Sequence, residues 1–277
     1  MKKIIYYILI LPLILCISGC LDENPRDQFD QDAIYDNASN IYNNAVASLY
    51  NYFGGHQNSE GLQGTCRGLY DYNTLTSDEA MIPTRGGDWY DGGLWKNLYQ
   101  HKWSANDIYL YDIWKYLYKV IMLSNKSLAD IESHKGALSY DQYKCFTAEV
   151  RAIRALYYWY AMDMFGNIPL VTSYNVKLEQ VVQNKRSEVF QFIVDELQQA
   201  APLLADARSN KAGDYYGRIT RPVVHFLLAK LALNAEIYSD DNWTDGKQMD
   251  GRTIFFDVNG VKKNAWETCI WYCDQLN

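Results

Sequence analysis

The residues best suited to chemistry lie in one stretch between positions 77 and 106. They are Asp78, Glu79, Arg85, Asp88, Trp89, Trp95, His101, Trp103 and Asn106. Four glycines interrupt the stretch, so a regular helix is not expected there. An indole face packs on the apolar C–H face of a sugar ring, and charged and amide groups bond to paired hydroxyls. This pattern is typical of an oligosaccharide-binding loop with micromolar to millimolar affinity.

Three other uses of these residues are open from the sequence. The aromatic rings would equally anchor a large loop to a scaffold, with Arg85 paired to Asp78 or Asp88 in an exposed ion pair of small energetic value. A surface glycoside hydrolase would use two of the carboxylates. However, the adjacent Asp78 and Glu79 do not face each other across a bond, and a glycine-rich loop gives a general acid little apolar burial. The third alternative is a helical scaffold that binds another protein.

The rest of the chain shows no motif for catalysis or for a metal. It lacks a His-Glu-x-x-His zinc motif, a nucleophile elbow and a glycine-rich phosphate loop, and its four histidines share no ligand spacing. Cys269 and Cys273 lie four residues apart without a second cluster, which favours ordinary buried thiols. We therefore expect no enzyme activity, no metal and no cofactor. Arg151 and Arg154 are expected to hold carbonyls or carboxylates.

The N-terminus has the pattern of a lipoprotein signal peptide. Lys2 and Lys3 precede an apolar segment, 4–17, and small residues lead to Cys20. The segment is short for a membrane span; an ordinary secretory signal or a short anchor helix with an incidental cysteine is the alternative. We expect residues 1–19 to be removed, Cys20 to be lipidated, and 20–36 to form an acidic tether to a helical domain over 37–277. Several acyl chains on Cys20 would anchor the protein on a membrane.

The charge of the chain argues against nucleic acid as a partner. Residues 1–19 hold two lysines and no acid, so their removal changes the formal charge from −7 to −9. Binding to phosphates needs a basic face, which a chain with scattered cations and an excess of carboxylates does not provide. With 24 Tyr and 8 Trp, the chain is rich in aromatic rings for both core packing and ligand contact.

Apolar residues at helical spacing predict a first helix that begins near Asn37 and ends at Gly54-Gly55. Ser104 and Asp107 resemble a cap pair for a second helix. The predicted apolar face of this second helix consists of Ile108, Tyr111, Trp114, Leu117, Tyr118, Ile121 and Leu128. The pattern therefore predicts helices on both sides of the glycine-rich stretch.

The strongest helix prediction starts at Ser139, which with Gln142 repeats the capping signature, and ends at Gly166 before Pro169. The apolar positions of this helix are Tyr143, Phe146, Val150, Ile153, Tyr157, Tyr160 and Met164. We expect its tyrosines at 157, 158 and 160 to serve in packing.

Two more helices are predicted after caps at Ser187 and Thr220, and Asn259-Gly260 signals a hairpin before a last helix near Ala265. Short connections such as 134–138 make neighbouring helices antiparallel. The expected fold is all-α, with tetratricopeptide-like helix pairs and long irregular loops, although no fixed repeat period is present.

Four sets of segments occur in the order and spacing of a known family. They are Cys20-Leu21-Asp22 with Pro25 and Asp27, residues 151–158 with 164–171, residues 186–204, and residues 217–221 with 227–230. Together they resemble the SusD/RagB outer-membrane lipoproteins of Bacteroidetes. The resemblance covers essentially the whole chain, and because members of that family are usually much longer, the chain is expected to be an N-terminal portion that stops inside a helix.

The resemblance implies a tetratricopeptide-like fold and a cell-surface role. It implies capture of glycans and their delivery to a SusC-type TonB-dependent transporter in the outer membrane, with Asp22 and Glu23 resembling the signal for surface export. By similarity to the glycan-binding face of the family, the expected contact residues are Asp78, Arg85, Trp103 and Asn106. Trp89 and Trp95 join them on chemistry alone.

Overall fold

The computed structural model describes residues 34–55, 59–63 and 66–276. Cys20, the predicted signal peptide and most of the predicted tether lie outside these residues. Within the described ranges the chain is mainly helical with four short strands, and the elements belong to one compact unit that begins at Tyr35. No helix in these ranges is both long and apolar enough to cross a membrane.

Stacked helices build the scaffold. The first helix, α1, runs over 38–54 and consists of Ala38–Ile41, a π-helical stretch Tyr42–Ala47, and Ser48–Gly54. The other helices are α2 (Leu69–Leu75), α3 (Leu94–Tyr99), α4 (Ile108–Ser133), α5 (Tyr140–Phe165), α6 (Arg186–Ala200), α7 (Arg221–Leu233), α8 (Ala235–Tyr238) and α9 (Ala265–Asp274). Helix α5 packs along α4 and along α6, and α7 packs along α9.

Side-chain caps confirm several predicted helix ends. At the start of α5, the Gln142 N–H donates to Ser139 Oγ at 3.2 Å and the Ser139 N–H donates to Gln142 Oε1 at 2.9 Å, which forms the predicted capping box. Helix α5 ends at Gly166, where φ is +70°. Asn37 caps α1 by accepting the N–H of Asn40 at 3.0 Å. Local sequence therefore determines where these helices begin and end.

Two predicted caps are wrong because other groups satisfy the helix ends. Asp107 alone caps α4, with Oδ1 accepting the Tyr109 N–H at 2.9 Å, while Ser104 only forms the preceding turn. Ser187 lies inside the first turn of α6, where its N–H and Oγ donate to the Asp241 carboxylate at 3.1 Å and 2.8 Å. Two acceptors for the first N–H groups of α6 thus come from elsewhere in the chain, Asp241 and Asn167, whose Oδ1 accepts the Arg186 N–H at 2.9 Å.

The buried face of helix α4 matches the predicted one only in part. Leu117 and Ile121 are fully buried as predicted, but Ile108 and Tyr111 are 64% and 61% exposed. The other buried positions are Ile113, Tyr116, Val120, Ser124, Asn125, Ser127 and Ile131. Because α4 carries aromatic and apolar residues on several faces, spacing alone does not identify the buried one.

Tyrosines fill the centre of the helix stack, as predicted for Tyr157 and Tyr158, which are both fully buried. The hydroxyl of Tyr157 lies 2.8 Å from that of Tyr116 on α4, and the Tyr158 hydroxyl donates to the Val171 carbonyl at 2.7 Å. The hydroxyls of these three tyrosines therefore have partners, which removes most of the cost of burying them.

The predicted structural role of the two arginines on α5 is confirmed. Arg154 Nη2 donates to Glu196 Oε2 at 2.6 Å, and Arg151 Nη2 donates to Glu196 Oε1 at 2.6 Å. The side chains of Arg154 and Glu196 are only 6% and 8% exposed. Arg154 also donates to Asn125 Oδ1 at 2.7 Å, so the network joins α5 to both α4 and α6.

Two antiparallel hairpins complete the fold. Strands β1 (Ile168–Pro169) and β2 (Gln183–Asn184) pair directly after α5, and β3 (Phe255–Val258) pairs with β4 (Val261–Asn264) before α9. The turn of the second hairpin is Asn259-Gly260, with φ of +55° and +78°, as a type I′ turn requires. The predicted hairpin is confirmed.

The expectation of buried thiols is wrong for the cysteines that the structure describes. Cys66, Cys145 and Cys269 are partly exposed and Cys273 is exposed, and all four are free. Cys269 and Cys273 lie one turn apart on α9, on a side of the helix that the scaffold leaves partly open to solvent. The small apolar side chain of cysteine does not by itself require burial.

Glu196→Gln is expected to destabilise the fold strongly, because it leaves Arg151 and Arg154 with reduced charge compensation. Removing one partner of a buried pair costs about 3–5 kcal/mol, which should lower the urea midpoint markedly. Glu132→Gln removes an exposed partner of Lys135 and is the control, for which little change is expected. Equal midpoints for the two variants would contradict a stabilising role of the buried pair.

Candidate functional site

The predicted binding stretch connects α2 to α4 and contains one short helix, α3. Its backbone takes the left-handed conformation repeatedly. The residues with positive φ are Asp78, Gly86, Trp89, Asp91, Gly92, Gly93 and His101. Because four of these carry side chains, for which such φ values are unfavourable, surrounding contacts must hold the conformation. The expectation that the stretch is no regular helix is confirmed apart from α3 and the 3₁₀ turn Asp91–Gly93.

A tight turn presents Arg85 and Asp88 to solvent. The Arg85 N–H donates to the Asp88 carbonyl at 3.2 Å, and the Asp88 N–H donates to the Arg85 carbonyl at 3.0 Å. Gly86 occupies the turn with φ of +60°. In the described residues the Arg85 side chain makes no ion pair with Asp78 or Asp88, so its guanidinium is available at the surface.

Trp89 and Trp95 lie together but differ in exposure. Their ring centroids are 6.1 Å apart with an interplanar angle of 64°, an edge-to-face contact. Trp89 is 55% exposed, whereas Trp95 is 1% exposed. The expectation that Trp95 offers a face to a ligand is therefore wrong. The protein covers the Trp95 ring, which packs against the exposed ring of Trp89 and supports it.

Arg67 and Asp91 hold this aromatic pair in place. Asp91 Oδ2 accepts the Trp95 indole N–H at 2.6 Å, and Asp91 Oδ1 lies 2.9 Å from Arg67 Nη2. The Arg67 guanidinium also lies over the rings of Trp95 and Tyr109, at 5.7 Å and 5.8 Å. Burial opposes the charge of Arg67, but neighbouring Cys66 and Asp91 raise its pKa overall, so the cation is maintained.

A second aromatic group contains Trp103, which is 41% exposed. Its ring centroid lies 5.5 Å from that of His101, and His101 Nε2 lies 3.4 Å from Asp78 Oδ1. The structure thus brings Asp78 and Trp103 together through a histidine. Asn106 is exposed, and its N–H donates to Ser104 Oγ at 3.4 Å just before α4. Among the described residues, no side-chain hydrogen bond, ion pair or cation–π contact joins Asn106 or Arg85 to either aromatic group.

A cleft of about 490 Å³ lies between the extended segment 81–84 and helix α3. It is lined mainly by apolar and aromatic side chains, among them Met81, Tyr90 and Tyr99. Tyr90 and Tyr99 are 61% and 42% exposed, so they add ligand-accessible rings beside the tryptophans. The sequence interpretation missed both tyrosines, although their position within the same stretch was a usable signal.

The arrangement is suited to binding rather than to bond cleavage. Exposed rings alternate with exposed carboxylate, guanidinium and amide groups, which matches the amphipathic surface of a sugar. Asp78, Glu79 and Asp88 are all exposed, whereas a general acid needs an apolar environment. Among the described residues, no three His, Cys, Asp or Glu side chains are placed to hold a metal ion.

Asp91→Ala is expected to loosen the loop, because it frees the Trp95 indole N–H and removes the partner of Arg67. Lost hydrogen bonds to a charged group cost about 1.5–3 kcal/mol when buried and less here, since Asp91 is partly exposed. Hydrogen exchange at the amides of 89–95 should therefore accelerate roughly ten-fold. Asp88→Ala is the matched control, and equal acceleration in both variants would contradict the anchoring role of Asp91.

Comparison with known proteins gives three further findings. The chain is 25% identical over 241 residues to a SusD-like protein of Bacteroides ovatus, covering 85% of this chain and 38% of that protein. It is 26% identical over 188 residues to the starch-binding protein SusD of Bacteroides thetaiotaomicron, covering 65% of this chain and 30% of that protein. The structure of a laminarin-binding SusD-like protein superposes with a TM-score of 0.57 at 24% identity, over 75% of this chain and 44% of that one.

The chain spans less than half the length of each of these three proteins. A family model for SusD-like proteins, described as starch-binding and associating with the outer membrane, matches residues 67–233, which is more than half of the chain. The match includes the whole of the stretch 77–106, which we call the aromatic loop. The chain therefore belongs to the SusD-like family, whose tetratricopeptide-like helical fold it shares.

Proposed function

We propose that this chain, as part of a surface lipoprotein, binds an oligosaccharide without cleaving it and passes it to a SusC-type TonB-dependent transporter. The observation that carries the proposal is the aromatic loop inside the segment matched by the family model. This loop presents Trp89 and Trp103 to solvent beside exposed polar groups. Two exposed indole rings and a few hydrogen bonds are consistent with the modest affinity of a protein that must release its ligand.

Glucans are the first ligands to test, because starch and laminarin appear in the names of two similar proteins. Trp103 is the first residue that we expect to contact the glycan. It matches the glycan-binding face of the family by similarity, and its ring is exposed. Asp78, Arg85 and Asn106 would supply hydrogen bonds to hydroxyls. Trp89 would stack on a ring, and Trp95 would support Trp89.

Trp103→Ala and Trp89→Ala are each expected to weaken glycan binding roughly 2- to 12-fold, which corresponds to loss of about 0.5–1.5 kcal/mol of stacking. Isothermal titration with maltoheptaose and laminariheptaose measures the effect. Trp243→Ala is the matched control, because Trp243 is 65% exposed in a loop outside the proposed site.

Unchanged affinity in both loop variants would remove the tryptophans from the site. No binding by the parent chain to either oligosaccharide, or to a wider panel of neutral glycans, would contradict the glycan-binding proposal. A rise in reducing ends during incubation would favour the alternative of a glycoside hydrolase, which the exposed carboxylates of the loop do not support.

Attachment to the outer membrane would occur through Cys20, which lies outside the described residues. Three features of the sequence support lipid attachment at Cys20. They are the apolar segment, the small residues before Cys20 and the absence of acidic residues ahead of it. Surface attachment would place the aromatic loop where glycans are available and beside the transporter. A gene for a TonB-dependent transporter next to this one would support delivery as the second step.

Cys20→Ala is expected to abolish incorporation of an alkyne-labelled fatty acid and to release the protein from the membrane fraction, because the acyl chains supply the membrane affinity. Cys16→Ala changes a neighbouring cysteine inside the apolar segment and is the control. Retention of the label in Cys20→Ala, or its loss in Cys16→Ala, would contradict lipidation at Cys20.

A further inference from the structure

A second cleft lies on the helical scaffold, well separated in sequence from the aromatic loop. Its volume is about 540 Å³, within the range of small-molecule sites. Helices α6, α7 and α9 and the turn of the β3–β4 hairpin form its walls. No part of the loop 77–106 contributes to it, so the cleft is distinct from the site described above.

One wall of this cleft is aromatic. The ring of His225 on α7 lies 5.5 Å from that of Tyr272 and 6.2 Å from that of Trp271, both on α9. Tyr272 is buried, whereas His225 and Trp271 are partly exposed. The cleft is therefore bordered by rings that the scaffold holds in fixed positions.

The other walls are polar. Asp195, Gln198 and Gln199 come from α6, and Asp257 comes from β3. Gln198 Nε2 donates to the Asp257 carbonyl at 2.7 Å and lies 3.2 Å from the Tyr272 hydroxyl, which joins the polar and aromatic walls. Asp195 and Asp257 each use Oδ1 in a local hydrogen bond, and among the described residues no hydrogen bond or ion pair involves Oδ2 of either.

The ring nitrogens of His225 are available for hydrogen bonds to a ligand. Neither of its ring nitrogens is hydrogen-bonded within the part of the chain that the structure describes. Burial, and then the cation of Arg221, lower the pKa of His225, while Asp206 opposes the shift. These contacts favour the neutral ring, which offers one donor and one acceptor, the pattern that a hydroxyl group matches.

The charged and polar groups of the cleft limit the class of ligand that it can bind. Two carboxylates disfavour phosphates and acids, and the polar walls disfavour an acyl chain. Among the described residues no three His, Cys, Asp or Glu side chains converge here to hold a metal ion. We propose that this cleft is a second carbohydrate site, which binds one or two rings of a neutral oligosaccharide between the His225–Trp271 wall and the carboxylates of Asp195 and Asp257. It would act independently of the aromatic loop.

The test is a titration of the whole chain, labelled with ¹³C at its histidine rings, with maltotriose and with laminaritriose to tens of millimolar. The chain has four histidines, and their signals are assigned with single His→Gln variants. His225 reports on the cleft and His101 reports on the loop, since His101 lies beside Trp103. His134, which lines neither cleft, is the internal control.

With at least one of the two sugars, the His225 signal should shift saturably, and it should still do so in Trp103→Ala. Asp195→Asn should weaken that binding roughly ten-fold without unfolding, because Asp195 is exposed. Asp274→Asn, an exposed carboxylate of α9 outside the cleft, is the matched control and should bind like the parent.

A His225 signal that stays fixed with both sugars would overturn the second site, and so would a shift that disappears in Trp103→Ala. Equal affinities for Asp195→Asn and Asp274→Asn would also overturn it. Failure of the loop proposal gives a different result, a shift at His225 with a fixed signal at His101, so the two proposals are tested separately in one experiment.

Discussion

The structure depends on two buried carboxylates, one on helix α5 and one on the neighbouring helix α6. Glu149 of α5 is 1% exposed, and its oxygens accept hydrogen bonds from Tyr50 of α1 at 2.5 Å and from Arg218 at 2.6 Å. Glu196 of α6 is bound by the arginines of α5. A buried carboxylate is tolerated only where its partners are in place, so these contacts fix α1, α4, α6 and the segment before α7 relative to α5. Tyr50 illustrates the coupling, because burial and then Glu149 raise its pKa far above the usual range.

This scaffold is the part that the sequence predicts well. The capping box at Ser139, the end of α5 at Gly166 and the turn at Asn259-Gly260 follow from residues within one or two turns of each other. Predictions fail where a distant group decides the outcome. Asp241 caps α6 in place of Ser187, and a sequence pattern gives no sign of an acceptor from another loop. The buried face of α4 is likewise determined by packing against α5. Ile108 and Ile121 are equally apolar, so the sequence does not show that only Ile121 is buried.

The aromatic loop shows a second limit of sequence reasoning. Its residue types indicated a binding surface, but they did not distinguish the exposed Trp89 from the buried Trp95, since both are tryptophans in a glycine-rich stretch. The difference arises from Asp91, which bonds the indole N–H of Trp95 from one turn away, and from Arg67, which covers the ring. Arg67 is distant in sequence and carries no motif, so only the folded chain reveals its role.

The two proposed sites differ in the rigidity of the backbone that carries them. The loop site depends on backbone in left-handed conformations, and such strain makes local opening easier. The cleft at His225 lies among packed helices, so its walls are fixed before a ligand arrives and less entropy is lost on binding. If both proposed sites bind the same polysaccharide, its affinity would exceed that of either site alone, because binding at one site raises the effective concentration at the other. An oligosaccharide that occupies only one of the two proposed sites would gain nothing from this effect.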